Sequence, residues 1–369
     1  RVWEERVMAK KSVLTLVFVL FISLAACSYR DVENTADKDV EKGSIRDEDH
    51  RDDQDPISYS IWTTYWDTEN LVDEIADIEG SIDSICYFAA YFNKDKLPFI
   101  PKETMDSLEK VKKLYTSMEY NSYLTFVNDL ILEDNTSSLK DVDLLHTLFE
   151  NDKSMDKHIQ DILNMTIEEG FDGIEIDYEA IRQDITLWQL FAEFVEKLYK
   201  ASNEKNILVR VVLEPNAPLD RIELPEGPEY VMMCYNLHGQ GTKPGPKANK
   251  TFLEDMIKKT KTLPGKVNFA LATGGYDFDG NGKVRSLTER QAVELLALFD
   301  SSPERDEESQ ALFFDYIDNE GVKHQVWYAD SETIKYWIDA IQKSGNHDIS
   351  LWRMGGNLNL KSILKKGHS

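Results

Sequence analysis

The sequence predicts a (β/α)8, or TIM, barrel, on three observations. Eight runs about the length of strands, YSIWTTYW, SICYFAAYF, YLTFVNDL, GIEIDYE, ILVRVVLE, YVMMCYNL, KVNFALAT and ISLWRM, are rich in β-branched and aromatic residues. Between them lie stretches with apolar residues at helical spacing, such as KETMDSLEKVKKLYTSM, DKHIQDILNMTIEEG, ITLWQLFAEFVEKLYKA, NKTFLEDMIKKTKTL and LTERQAVELLALFDS. From Ile57 to the end the chain has about 310 residues, an ordinary size for such a barrel with insertions. An open doubly wound sheet is the alternative, and the lack of a glycine-rich turn after the first strand counts against it. No internal repeat at solenoid periods is visible.

What precedes the barrel reads as a leader and a tether. From Met8, the expected start, MAKKSVLTLVFVLFISLAAC has two lysines, an apolar run of signal-peptide length and small residues before Cys27. Residues 1–7 carry no fold information. Leu24, Ala25, Ala26 and Cys27 resemble a bacterial lipobox, which makes Cys27 the lipidated first residue of the mature chain, anchored to the cell membrane and extracytoplasmic. A plain transmembrane anchor is the alternative, and the apolar run is short for spanning. Residues 28–56 are mostly Asp, Glu, Lys and Arg, too polar to bury a core, and read as a disordered acidic linker.

Composition narrows the partners. With a formal charge of -25, the chain would repel phosphate backbones, which argues against nucleic acid and favours an uncharged substrate or a locally basic groove. Three cysteines, Cys27, Cys86 and Cys234, cannot build a disulfide framework. Cys86 and Cys234 lie in apolar strand-like runs and read as buried free thiols.

The chemistry concentrates in the fourth strand-like run. Glu175, Asp177 and Glu179 alternate there with Ile174, Ile176 and Tyr178, so the three carboxylates leave one strand face together. Acids crowded in this way repel one another, and one of them is expected to hold its proton near neutrality, as a general acid must. Isoleucines on the opposite face argue against a merely solvated edge strand. Barrel enzymes carry their chemistry at the C-terminal strand ends. Tyr65, Trp66, Asn128, Glu214, Tyr235, Asn236, Tyr276, Asp277 and Trp352 each fall near such an end. Aromatic and amide groups around carboxylates suit a sugar cleft, although core filling is the competing reading for single aromatics such as Tyr65, Trp66 or Tyr276.

With these residues located, the chain resembles family 18 glycoside hydrolases, the chitinase-like and endo-β-N-acetylglucosaminidase-like barrels. Asp172 to Glu179, DGIEIDYE, is similar to the family's DGxDxDxE strand, VMMCYNLHG to its MxYD motif, and LWRMGG to its eighth-strand tryptophan region. The run from Phe313 to Gly356 is most similar to the bacterial spore-germination and cortex-lytic branch. The resemblance implies retaining hydrolysis of β-1,4 bonds next to N-acetylglucosamine, with the substrate's acetamido group as nucleophile. Glu179 would be the acid, Asp177 and Tyr235 would hold the acetamido group, and Trp352 would lie beneath the sugar. Glu175 and Asn236 depart from the family pattern, which has Asp at both places. Glu175 would then share a proton with Asp177 in its own way, and the missing charge at Asn236 would alter the acid's environment.

Weaker signals remain. DFDGNGKVRSLTE, from Asp277, partly fits a calcium loop, but its closing Glu289 comes one place late, and a turn with Asp277 near the cleft is preferred. His238 is a further substrate-contact candidate. No His or Cys cluster has zinc spacing, so neither metal nor cofactor is expected, and the protein is read as a monomer. A lectin-like barrel, silenced by the two departures, is the rival from another class.

Overall fold

The computed structural model describes residues 57–364, apart from 69, 79 and 133–135. The leader, Cys27 and the acidic linker therefore lie outside the described residues. Eight parallel strands close into a barrel: β1 (Tyr59–Thr64), β2 (Ser84–Asn93), β3 (Asn121–Ile131), β4 (Gly173–Asp177), β5 (Leu208–Leu213), β6 (Glu229–Met233), β7 (Val267–Ala272) and β8 (Asp348–Trp352). Each pairs with the next, and β8 returns to β1 with Ile349 opposite Tyr59. All eight coincide with the strand-like runs.

Strand alternation builds two cores. Outward residues such as Ile61, Ile85, Leu124, Ile174, Ile176, Val211 and Phe269 pack against the helices. These are α1 (Leu71–Ile78), α2 (Lys102–Leu114), α3 (Val142–Leu148), α4 (Asp152–Glu168), α5 (Ile185–Asn203), α6 (Lys250–Lys259) and α8 (Ser331–Gln342). Inward residues, among them Trp62, Cys86, Tyr123, Val212, Val231 and Ala270, fill the barrel. Cys86 and Cys234 are buried and free. The helices are fixed locally: Asn151 and Ser154 form a capping box at α4, and Asp184 caps α5. Gly173 opens β4 because a Cβ there would meet the Tyr123 ring at 2.4 Å.

Two features depart from a plain eightfold repeat. The crossing from β5 to β6 is a loop, where Pro215, Pro218, Pro225 and Pro228 interrupt any helical run. Between β7 and α8 the chain builds a five-stranded antiparallel sheet, whose long strands are Gly274–Asp279, Leu312–Ile317 and Lys323–Ala329. Helix α7 (Glu289–Leu298) covers it through a small core of Leu287, Ala292, Phe314, Val326 and Tyr328. LTERQAVELLALFDS is thus a helix, as its spacing predicts, but it belongs to this insert and not to the barrel wall.

Candidate active site

The three acids of the fourth strand share a face but not an environment. Glu175 is fully buried inside the barrel, and four donors reach it: Trp62 Nε1 at 2.6 Å, Thr125 Oγ1 at 2.7 Å, Arg210 Nε at 3.1 Å and Cys86 Sγ at 3.3 Å. Arg210, also fully buried, donates to Ser60 Oγ at 2.7 Å and Ser350 Oγ at 3.0 Å, and lies over the Tyr123 ring. Glu175 is therefore one half of a satisfied buried ion pair. The expected sharing of a proton with Asp177 is not what this geometry provides, because every partner of Glu175 is a donor and a carboxylate is an acceptor.

Asp177, one pleat higher, is buried too, and its Oδ1 has no hydrogen-bond partner. Burial, and then the charges of Glu179 and Glu175, push its carboxyl well above the ordinary carboxylate range. A buried carboxyl with a free oxygen at the bottom of a cleft is ready for a polar ligand group.

Glu179 lies beyond the strand end, in a turn where Ala180 takes a left-handed φ of 65°. Asn128 clamps the backbone there: its Oδ1 accepts from Glu179 N at 2.9 Å and its Nδ2 donates to Glu179 O at 3.1 Å. Asn128 thus holds the turn from beneath, although it also borders the cleft. Lys140, from the loop after β3, donates to Glu179 Oε2 at 2.5 Å. Asp129 fixes that loop by accepting from Lys140 N at 2.7 Å. Burial, opposed by the Lys140 backbone bond, pushes Asp129 up to about 6. On the other side Glu214 accepts from Ala180 N at 2.8 Å, which places its carboxyl at the Glu179 turn. Burial first, and Glu179 next, push Glu214 up to about 7.

Asp177 and Glu179 open into a cleft of about 250 Å³, bordered also by Phe88, Lys140, Met233, Tyr235, Asn236, Tyr276 and Trp352. Tyr235 is buried, and burial holds its phenol well above its usual value, so its hydroxyl keeps a proton to donate. Trp352 packs edge-on against Phe88 and Trp62, which leaves a ring at the cleft floor. Tyr276 donates to Asn236 Oδ1 at 2.8 Å, and Lys247 lies 5.0 Å from the centre of its ring.

Several expected contacts lie elsewhere. Asp277 points away from the cleft, into the insert, where it accepts from Tyr316 at 2.8 Å and Arg285 at 2.9 Å and bonds His324 at 2.8 Å. The strand period explains this: Tyr276 faces the cleft, so its neighbour cannot. Tyr65 and Trp66 sit at the rim, packed on each other, with Trp66 against Phe88. His238 bonds the carbonyl of Lys243 at 3.2 Å. The stretch after Asp277 is a hairpin whose turn closes on Asp279, with Asn281 N at 2.9 Å and Lys283 N at 2.7 Å donating to its Oδ1. No cluster suited to a metal occurs among the described residues.

A family model described as glycosyl hydrolases family 18 matches residues 138–357. An uncharacterized glycosylase of Bacillus subtilis, YvbX, is 24% identical over 271 residues, covering 66% of this chain and 75% of its own. The cortical fragment-lytic enzyme of Bacillus anthracis is 21% identical over 316 residues, 81% of this chain and 71% of its own. Among solved structures, the spore cortex-lytic enzyme SleL of Bacillus cereus superposes with a TM-score of 0.68 at 18% identity, over 84% of this chain and 73% of that one. A class V chitinase of tobacco in complex with NAG4 gives 0.67 at 13% identity, over 84% and 97%. These structural likenesses show the barrel fold.

Proposed function

The chain belongs to glycosyl hydrolases family 18 and is a glycoside hydrolase, and from that premise we propose that it cleaves β-1,4 bonds next to N-acetylglucosamine by substrate-assisted catalysis. Glu179 gives its proton to the glycosidic oxygen as the bond to the anomeric carbon breaks. The acetamido oxygen of the same sugar bonds to that carbon, giving an oxazolinium ion. Water then adds at the carbon, its proton returns to Glu179, and the ring opens with configuration retained. Asp177 and the Tyr235 hydroxyl orient the acetamido group and stabilise its developing positive charge. Trp352 stacks beneath the sugar.

One observation carries this reading: Asp177 is a buried carboxyl with an unpartnered oxygen, two residues from Glu179 in the same cleft. A polar partner supplied by the substrate would satisfy it. The polymer is peptidoglycan or a chitin-type chain, and the relatives named for cortical fragments favour peptidoglycan. We place the enzyme outside the cytoplasm on a lipid anchor at Cys27, acting as a monomer. Glu179→Gln should lower release from a chromogenic chitobioside by about 10²- to 10⁴-fold while leaving binding nearly intact. Unchanged release, or ready cleavage of plain glucans lacking the acetamido group, would defeat the proposal. The Lys140 contact with Glu179 favours one rival, a weakly active or lectin-like barrel, which predicts binding by the wild type without release.

A further inference from the structure

We propose that Glu214 stores the proton that Glu179 delivers, and that Lys140 is the counter-charge exchanged in the opposite direction; the proposal rests on the reading of Glu179 as the acid. Glu179 stands between the two, with Lys140 Nζ 2.5 Å from its Oε2 and, on the other side, the Glu214 carboxyl held at the same turn by Ala180 N at 2.8 Å. Two carboxyl groups crowded at one turn with a single ammonium favour a proton on one of them. The ammonium is on Glu179, which leaves Glu214 as the member placed to hold that proton.

That arrangement is the wrong one for catalysis and sits one step from the right one. The free enzyme has Glu214 as carboxylic acid, Glu179 as carboxylate and Lys140 as ammonium. Transfer of one proton from Glu214 to Glu179 leaves Glu214 as carboxylate, and Lys140 can then pair with it. No charge is created and no outside donor is needed. The Glu214 carboxyl, once ionised, lies within the field of the Lys140 ammonium. The backbone of Lys140 is tied to Asp129, so only its flexible side chain need swing. The rise of Glu214 to about 7 agrees with a group that holds its proton in the free enzyme and can release it.

The other groups facing Glu179 do not serve as stores. Asn128, from β3, is spent on the Glu179 backbone, and Asp129 of the same strand on the Lys140 loop. Glu175, deeper on β4, accepts from four donors. Asp177 is committed to the acetamido group. Tyr235 from β6 and Tyr276 from the insert have phenols pushed upward by burial. Glu214, at the end of β5, and Lys140 are positioning residues in this scheme, acting through Glu179.

Glu214→Gln separates this role from a structural one, because the amide oxygen can still accept from Ala180 N. On a chitobioside, kcat/KM at pH 7 should fall on the order of ten- to a hundredfold. The loss should appear in kcat more than in KM and should grow as the pH is raised from 5 to 8. Glu214→Asp should recover part of the rate. In Lys140→Met the acid keeps its own proton, so adding Glu214→Gln should cost little further. A Glu214→Gln variant with the wild-type rate and pH profile, or losses that simply multiply in the double variant, would overturn the proposal. Infrared titration of the wild type gives a readout that needs no turnover: a protonated-carboxyl band that titrates near pH 7 and is missing in Glu214→Gln. A wild type that shows the band but releases no sugar would defeat the proposed hydrolysis and leave the proton store standing. An active wild type without the band would do the reverse.

Discussion

Glu175→Gln should damage the fold more than the chemistry. The native carboxylate, fully buried, takes four donors at 2.6, 2.7, 3.1 and 3.3 Å. Glutamine keeps one acceptor oxygen, enough for Trp62 Nε1 and Thr125 Oγ1. Its amide N–H groups must then face the Arg210 guanidinium and the Cys86 thiol, donor against donor. Arg210 also loses its buried counter-ion. Breaking such a pair costs about 3–5 kcal/mol. Glu229 Oε2, 3.4 Å from Arg210 Nη1, still balances part of the charge, which favours the lower end. About 3 kcal/mol corresponds to a fall in Tm of roughly 5 °C for a domain of about 310 residues. Arg210→Met should do similar harm, and Glu175→Leu combined with Arg210→Met should recover much of it, since an apolar pair often replaces a dry ion pair at little cost. The assay is thermal unfolding with chitobioside hydrolysis measured on the same preparations. A Glu175→Gln variant that melts like the wild type but has lost hydrolysis about a hundredfold, a loss of the size expected for a missing proton-transfer group, would refute this assignment. It would return Glu175 to the catalytic role its motif position suggests.

Two further outcomes follow from the same geometry. Glu214 binds its proton more tightly folded than unfolded, so its contribution to stability is full below its unfolded pKa of 4.5 and is lost as pH rises through about 7. Glu214→Gln should therefore unfold at the wild-type temperature at pH 4 and at a higher one at pH 8, where the gain approaches about 3 kcal/mol; equal melting curves at pH 8 would contradict this. Asp277→Ala leaves Tyr316, Arg285 and His324 without their shared acceptor. It should destabilise the protein by about 1–3 kcal/mol, while hydrolysis per folded molecule stays within about twofold; a large rise in KM would put Asp277 back in the cleft.

The barrel was legible because each of its strands is a buried run with one face on the helices and one inside, a pattern that period and composition expose directly. The insert was not. FFDYI and HQVWYA pair antiparallel with each other and the latter with GGYDFD, some 45 to 55 positions earlier, and such register depends on a partner that local sequence does not name. The same blindness misplaced Asp277: near the end of a barrel strand in sequence, it lies on the far face of a strand that belongs to another sheet. Glu214 stood near a strand end in the sequence but carried no motif to give it a role. Lys140 had no signal at all. It is one lysine in a polar loop, and only the closing of the barrel brings it to Glu179, 39 positions later.

The motif strand shows why residue type alone could not divide the labour. Three acids at alternate positions look equivalent in sequence, yet each step along β4 moves the side chain from the filled interior toward the mouth. At the deepest position a carboxylate survives only with an opposite charge, and the extra methylene of Glu175, compared with the family's aspartate, gives it the reach to meet Arg210 on the neighbouring β5 and Trp62 on β1 across the barrel. One pleat up, Asp177 is buried beside two other carboxyl groups, and burial, then Glu179 and Glu175, push its carboxyl well above the ordinary range. Past the strand end, on a turn that Asn128 clamps, Glu179 has a counter-charge in Lys140 and a carboxyl neighbour in Glu214. The departure at Glu175 is then a structural solution with a functional consequence: by fixing the inner acid as an acceptor, it removes the inward route for the proton and leaves the lateral one through Glu214.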